Sequence, residues 1–429
     1  TNGPLEAKQS ITPTEKLSTE FIVGTDPKTV SLIKKLVEQL KNKGAYFHPS
    51  LRIVEDKGDL SIKSYSSTEI NERLMSVPMK CLPVLSDFSF GVDKELKLTC
   101  QPHKNGLNKH AHAIMGSMVS IYNATDKLRS WSLAHPLLSL KAYPELVDKL
   151  YGLRGFNPTV KKLKKYYDEK NWDLLLIESF FDSRRFSFTS NELQLMGIKK
   201  GGDKQSGLLT VIDFLNHKSG VKGYEVNHKS KNMEINALPD KETHEVFVQY
   251  NTFYDPLITY LNYGFLENNP PWLYSLPVTL ITTTGLSIYI FNTPADKSKN
   301  SRAIISHIDT YNPSYIKREL SEVSVSTLII PTLSAKDTLL QVLCFLLLEV
   351  DMEDNYNNEI SLKSEAEHLE KQLLRFNFKS WYALGKDTSK LLLEDKDEST
   401  MALTTLVSLC DFSKQHIKDY MNYRGISEI

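Results

Sequence analysis

Val211-Ile212-Asp213-Phe214-Leu215-Asn216-His217 opens the stretch that decides how this chain is read. It continues through Tyr224-Glu225 and Glu245-Val246-Phe247-Val248-Gln249-Tyr250 to Asp255-Pro256 and Asn262-Tyr263-Gly264-Phe265. Glu245 to Gln249 alternates polar and apolar residues, which predicts a strand ending at Tyr250. Asp255 before Pro256 predicts a helix start, and Gly264 predicts its end, with Tyr263 in the last turn. A strand end and a helix end are thus expected to offer two tyrosines, thirteen residues apart, to one cavity. An Asn-His pair in an apolar run precedes them.

Upstream, residues 1–20 are polar and aperiodic, which predicts a flexible arm. Asp26-Pro27 with Val30, Ile33, Val37 and Leu40 at helical spacing predicts a helix stopped at Gly44. Leu51 to Pro78 reads as β structure, with Leu74, Met75 and Val77 in a buried strand. From about Ser86 to Phe181 the pattern is helical, including Lys109–Asn123, Pro144–Tyr151 and Thr159–Lys170. Gly197, Gly201, Gly202 and Gly207 predict a mobile loop, but not a phosphate loop, because no Lys-Ser/Thr follows at the required spacing. Downstream, helices dominate after Pro294. Ser334 with Asp337 looks like the start of an apolar helix ending near Val350. Leu362–Phe376 and Thr400–Met421 predict two more, amphipathic helices.

The 429 residues are 41% hydrophobic and 24% charged, the balance of a globular chain of two or three domains. Lys+Arg and Asp+Glu are both 52, so nothing pulls the chain as a whole toward nucleic acid or an anionic membrane, and neither partner is expected. Cys81, Cys100, Cys344 and Cys410 lie far apart, which argues against a disulfide framework or a zinc site and for a reducing compartment such as the cytoplasm. Thr1-Asn2-Gly3-Pro4 begins without Met and without the apolar run of a signal peptide, leaving room for a targeting segment upstream. Leu339–Val350 is too short for a ~20-residue membrane span. His103, His110 and His112 lack acidic or thiol partners at ligand spacing, so no metal is expected.

Asp213-Phe214-Leu215-Asn216-His217 resembles the D-x-x-N-H segment of SET-domain methyltransferases, specifically the Rubisco large-subunit methyltransferase-like branch. Ser183-Arg184 upstream, Tyr224-Glu225 after it, Tyr250 at a strand end and Tyr263-Gly264-Phe265 at a helix end fall in that branch's order. The resemblance implies an α+β architecture. Its SET domain of small sheets would span 21–295, with an inserted helical subdomain at about 86–181. An all-helical substrate-binding domain would span 296–429.

The resemblance also implies S-adenosylmethionine as cofactor, a lysine of a folded protein as substrate, and a monomer. Tyr263 and Tyr250 would be catalytic. Asn216, His217, Ser183 and Arg184 would hold the cofactor, and Asp213, Tyr224 and Phe188 would lie toward the substrate. Where the branch carries Gly-x-Gly, this chain reads Gly58-Asp59-Leu60-Ser61-Ile62-Lys63-Ser64-Tyr65, and Ser64-Tyr65 would take over that contact.

The chemistry calls for such residues. Methyl transfer from a sulfonium needs a neutral amine, and a free lysine has a pKa near ~10.4, so the site must favour loss of its proton. An apolar channel desolvates the ammonium, while phenol hydroxyls orient the amine and contact the polarised methyl group. Taken singly, each residue has a plainer reading: Asn-His as a satisfied structural pair, and Tyr250 and Tyr263 as core aromatics among 20 tyrosines. A protein-binding module that keeps the fold without the activity is the reading of another class. Histidine-methylating members of the branch lack a tyrosine at the position of Tyr263, so its presence implies lysine.

Overall fold

Asp26 accepts hydrogen bonds from the backbone N–H groups of Lys28 and Thr29, and Pro27 opens a helix spanning Pro27–Asn42. Ile33, Leu36, Val37 and Leu40 form its buried face. Gly44 follows at φ +98°, a conformation costly for any side chain, so the predicted stop is where the helix ends. The computed structural model describes residues 20–65, 72–154, 158–199, 204–236, 238–250, 254–267, 270, 272–291, 316–319, 322–332, 338–350, 359–395 and 399–428. The expected flexible arm up to residue 19, Gly201 and Gly202 of the expected mobile loop, and the Ser334–Asp337 helix start lie outside them.

These residues build an α+β chain of small sheets with a helical C-terminal region. It divides into two compact units, Thr1–Trp131 with Leu176–Thr252, and Ser132–Leu175 with Phe253–Ile429. In the first unit, Ile22–Gly24 runs parallel to Leu51–Asp56, which turns at Lys57-Gly58 into Asp59–Ser64. A second sheet has the order Tyr224–Asn227, Asn232–Ile235, Met75–Pro78, Tyr46–Phe47. Met75–Pro78 lies inside this sheet and is buried along its whole length, as its apolar run predicted. Asn216–His217 pairs in parallel with Phe247–Val248 and so brings the D-x-x-N-H segment beside the strand that leads to Tyr250.

Two segments depart from the helical reading. Phe88–Val92 and Leu98–Pro102 form an antiparallel hairpin within the stretch expected to be helical from Ser86. Its turn is built by Asp93, whose carboxylate accepts from the N–H groups of Glu95 (2.8 Å) and Lys97 (2.9 Å). Such side-chain acceptance competes with helix formation. Likewise the region after Pro294 is not all helical. Ile316–Glu319, Glu322–Val325 and Ile329–Pro331 are strands, Glu322–Val325 lying parallel to Ser287–Ile290. Val323 and Val325 alternate into the core, and β-branched residues favour that arrangement. Gly207, at the end of the glycine-rich stretch, lies in a strand, Ser206–Leu208, which pairs with Arg185–Ser187.

In the second unit, Ile258, Trp272, Tyr274 and Ile329 pack together with Tyr254 against them. Beyond them come the helices Thr338–Val350, Glu359–Glu394 and Thr400–Arg424, the last two packed on each other. Leu362–Phe376 is thus part of a helix longer than its periodicity suggested. Among the described residues no helix is long and apolar enough to cross a membrane.

Candidate active site

Ser183 and Arg184 stand between the helix Trp172–Asp182 and the strand Arg185–Ser187. The Ser183 hydroxyl donates back to the Phe180 carbonyl (2.7 Å), closing the helix end. Arg184 turns inward: Nη1 donates to Asp213 Oδ2 at 2.8 Å, and the guanidinium lies 4.5 Å from the Phe180 ring centre and 5.4 Å from that of Tyr122. Its Nε is buried with no hydrogen-bond partner among the described residues.

Asp213 sits in the short 3-10 turn Thr210–Phe214, with a side chain 9% exposed, and Tyr122 also donates to its Oδ2 at 2.7 Å. Burial pushes the Asp213 carboxyl upward, while Arg184, both hydrogen bonds and Lys127 pull it back. The guanidinium is charged throughout the accessible range, so the pair stands as an ion pair. Burial, together with Asp213, also raises Tyr122 well above the ordinary phenol value.

Tyr250 is fixed twice. Its backbone N–H donates to His217 Nδ1 (2.9 Å) and its hydroxyl to the Leu215 carbonyl (2.9 Å). The first bond sets the His217 ring, which packs 5.1 Å from the Tyr250 ring. In the second the phenol gives its proton away, so its oxygen is the side that can accept. Burial, followed by the Asp213 charge, raises the Tyr250 phenol, as it does that of Tyr224. Both therefore stay protonated at neutral pH. Asn216 spends its amide on Glu245 Oε1 (2.7 Å) and the Leu60 carbonyl (3.3 Å).

In the first unit the Asp213 charge thus acts on Arg184, Tyr224 and Tyr250 alike. Tyr224 meets Phe186 edge to face at 5.6 Å. Phe188 is buried 5.5 Å from Phe186 and lies over Gly207, where a Cβ would come within 2.5 Å of its ring. Ser64 is fully buried in its strand. Its hydroxyl is 2.7 Å from that of Ser50, and its N–H donates to the His244 carbonyl. Tyr65 packs 5.4 Å from the His244 ring.

Tyr263 belongs to the second unit. It ends the helix Pro256–Tyr263 as predicted, with Asp255 as N-cap and Gly264 at φ +74° donating to the Tyr260 carbonyl. A Cβ on Gly264 would lie 2.6 Å from the Ala134 carbonyl oxygen, so conformation and close approach both call for glycine here. Tyr263 stacks 5.9 Å from Phe265 and lies 6.1 Å from Tyr254.

Two residues of the first-unit cluster escaped the sequence reading. Tyr122 sits in a helix, His112–Ala124, read only as apolar, and it reaches an aspartate 91 positions away. Lys127 donates to the Gly58 carbonyl at 2.8 Å and feels both Arg184 and Asp213. Nothing local in the sequence signals either contact. The cysteines form no disulfide, and burial pushes Cys81 and Cys100 to about 11 and Cys410 to about 12, which disfavours thiolate chemistry. Among the described residues, no three His, Cys, Asp or Glu side chains are placed to hold a metal ion.

No protein-family model matches the sequence, and no curated protein does. Solved structures similar to the chain include the SET domain of LSMT bound to lysine and AdoHcy, at 12% identity and a TM-score of 0.38, covering 93% of this chain and 92% of that one. The same domain bound to MeLysine and AdoHcy gives 13% and 0.40, covering 92% of each chain. Rubisco LSMT bound to AdoMet gives 11% and 0.36, covering 91% of each chain. Identities and scores this low assign neither family nor function.

Proposed function

We propose that this protein is a SET-fold protein-lysine N-methyltransferase that uses S-adenosylmethionine. The observation that carries this reading is the gathering of Arg184, Asp213, Tyr224 and Tyr250 around one place in the first unit. These residues come from the separate segments that, in the same order, resemble the family's motifs. Tyr263 at a helix end before Gly264 completes the order.

The side chains present suit such a cofactor in two respects. Arg184 Nε is a buried donor without a partner among the described residues, suited to a carboxylate oxygen. The Tyr250 hydroxyl gives its proton to Leu215, so its oxygen accepts, as contact with a polarised methyl group requires. Arg184, Asn216 and His217 are the residues that would hold the cofactor. When bound, it supplies an electrophilic methyl carbon on a sulfonium. The surrounding phenols, kept neutral by burial and by Asp213, orient the lysine amine and exclude water. The phenols would thus present the lone pair of a neutral amine to that carbon, and the amine would shed its proton to solvent before the attack.

A second reading is a SET-fold binding module without activity. It is favoured by how many of the expected groups are spent inside the protein: Asp213 on Arg184 and Tyr122, the Asn216 amide on Glu245, and the Ser64 hydroxyl on Ser50.

Cofactor titration tests the proposal. At about 100 times its Kd, S-adenosylmethionine should stabilise the native protein by ~2.7 kcal/mol. Absence of any stabilisation at millimolar cofactor would overturn the enzyme reading.

A further inference from the structure

In the first unit, four side chains far apart in sequence form one line of hydrogen bonds: Glu72, His48, Ser50 and Ser64. His48 Nε2 lies 2.6 Å from Glu72 Oε1, and His48 Nδ1 lies 2.6 Å from Ser50 Oγ. Ser50 Oγ in turn lies 2.7 Å from Ser64 Oγ. One placement of protons satisfies all three contacts. An ionised carboxylate only accepts, so Nε2 carries the ring proton and donates to Glu72. Nδ1 is then a lone pair that accepts the Ser50 hydroxyl, and Ser50 accepts from Ser64.

Closing the His48-Pro49-Ser50 turn does not require the hydroxyl or the carboxylate. The Leu51 N–H donates to the His48 carbonyl (3.0 Å), the His48 N–H to the Leu74 carbonyl (2.8 Å), and the Ser50 N–H reaches Nδ1 at 3.1 Å. Arg73, next to Glu72, turns to Glu234 at 3.6 Å and over the Tyr46 ring at 4.9 Å, so Glu72 faces the imidazole and not its neighbouring cation. The His48 side chain is 17% exposed, that of Glu72 is 35% exposed, and Ser50 is half-buried, which leaves the cluster open to a small molecule. A carboxylate, an imidazole and a hydroxyl in this order are the parts of an activated serine: the base takes the hydroxyl proton, and the acid fixes the ring and stabilises its positive form. Either ring nitrogen serves as the base when the other holds the proton.

We propose that Ser50 is a nucleophile that takes an acyl group from an activated ester, with His48 as its base and Glu72 orienting the ring; this is independent of the methyltransferase reading. Ser50 Oγ forms a bond to the acyl carbon while its proton passes to His48 Nδ1. The bond to the leaving alcohol breaks, and the alcohol takes that proton from His48. Water then attacks the same carbon, gives a proton to His48 and releases the acid, and the proton returns to Ser50. An ester with a good leaving group is the class such a site serves, because the cluster supplies a nucleophile and its base.

Labelling of the folded protein with a fluorophosphonate, followed by peptide mapping in a mass spectrometer, tests this. The wild type should carry the label on Ser50 and should hydrolyse p-nitrophenyl acetate. His48→Asn keeps an acceptor for the Ser50 N–H but removes the base, and should slow both reactions by about 100-fold or more. Glu72→Gln should slow them by about tenfold or more. Circular dichroism checks that each variant is folded, and Glu72→Gln carries the test if His48→Asn is not. Ser50 left unlabelled in the native wild type would overturn the proposal. So would labelling no faster than in the urea-unfolded chain, or at the wild-type rate in the folded variants.

Discussion

Asp213, half-buried in a 3-10 turn of the first unit, and Asp255, buried at a helix N-cap of the second, are aspartates that the protein answers in different ways. Asp213 faces a guanidinium at 2.8 Å and a phenol at 2.7 Å. Asp255, 2% exposed, accepts from the backbone N–H groups of Ile258 (2.9 Å) and Tyr274 (3.0 Å), and no cation is at ion-pairing distance among the described residues. Burial raises Asp255 to about 6, while the two N–H groups and the more distant Arg154 draw it down. A formal countercharge keeps a buried carboxylate ionised but makes each partner a liability without the other. Backbone dipoles cap a helix and leave the carboxylate poised to take a proton.

The largest effect should come from breaking the ion pair. Arg184→Met leaves Asp213 buried without its cation and should cost about 3–5 kcal/mol. Arg184→Met with Asp213→Leu should recover most of that loss. Chemical denaturation checks both, and a double variant no better than the single one would show that Asp213 does not depend on Arg184. Asp255→Ala should cost less, about 2–3 kcal/mol, from a lost N-cap and an unanswered Tyr274 N–H. A cost equal to that of Arg184→Met would erase the distinction between the two carboxylates.

The smallest effect is a change of slope with pH. Asp255 titrates at about 6 when folded against 3.8 as its ordinary value, so the folded state takes that proton first. Its stabilisation is fully present below about 3.8 and is lost as pH rises through about 6. His135, fully buried in the same unit, has the opposite sign: burial lowers it from 6.5 to about 3. Its contribution is present above about 6.5 and is lost as pH falls toward 3. Between about pH 4 and 6 the two oppose each other. Asp255→Asn should therefore steepen the loss of stability on acidification, by at most about 1.4 kcal/mol per pH unit. Parallel slopes in variant and wild type would show that Asp255 is ionised across that range.

The same contrast explains what the sequence made legible. Asp255-Pro256 with Gly264, and Asp26-Pro27 with Gly44, are local devices whose partners lie within a few residues, so the bounds of those helices could be read directly. Of the strand expected over Glu245–Gln249 from alternation, the structure keeps Phe247–Val248, just before Tyr250. Asp213 stood out through its motif, but its partners Arg184 and Tyr122 come from 29 and 91 positions away, and only the motif order pointed to the first. The Phe88–Pro102 hairpin was hidden because its turn is set by one aspartate side chain. The Ile316–Pro331 strands were hidden because each is short and takes its partner from a distant segment.

Methyl transfer itself tests the central claim most directly. The purified protein, given methyl-labelled S-adenosylmethionine and a protein lysate, should place label on lysine of a protein in that lysate. Tyr263→Phe and Tyr250→Phe should each lower the rate by about 100-fold or more while S-adenosylhomocysteine affinity is largely kept. A wild-type protein that binds the cofactor and transfers no label, or two phenylalanine variants that transfer at the wild-type rate, would contradict the account.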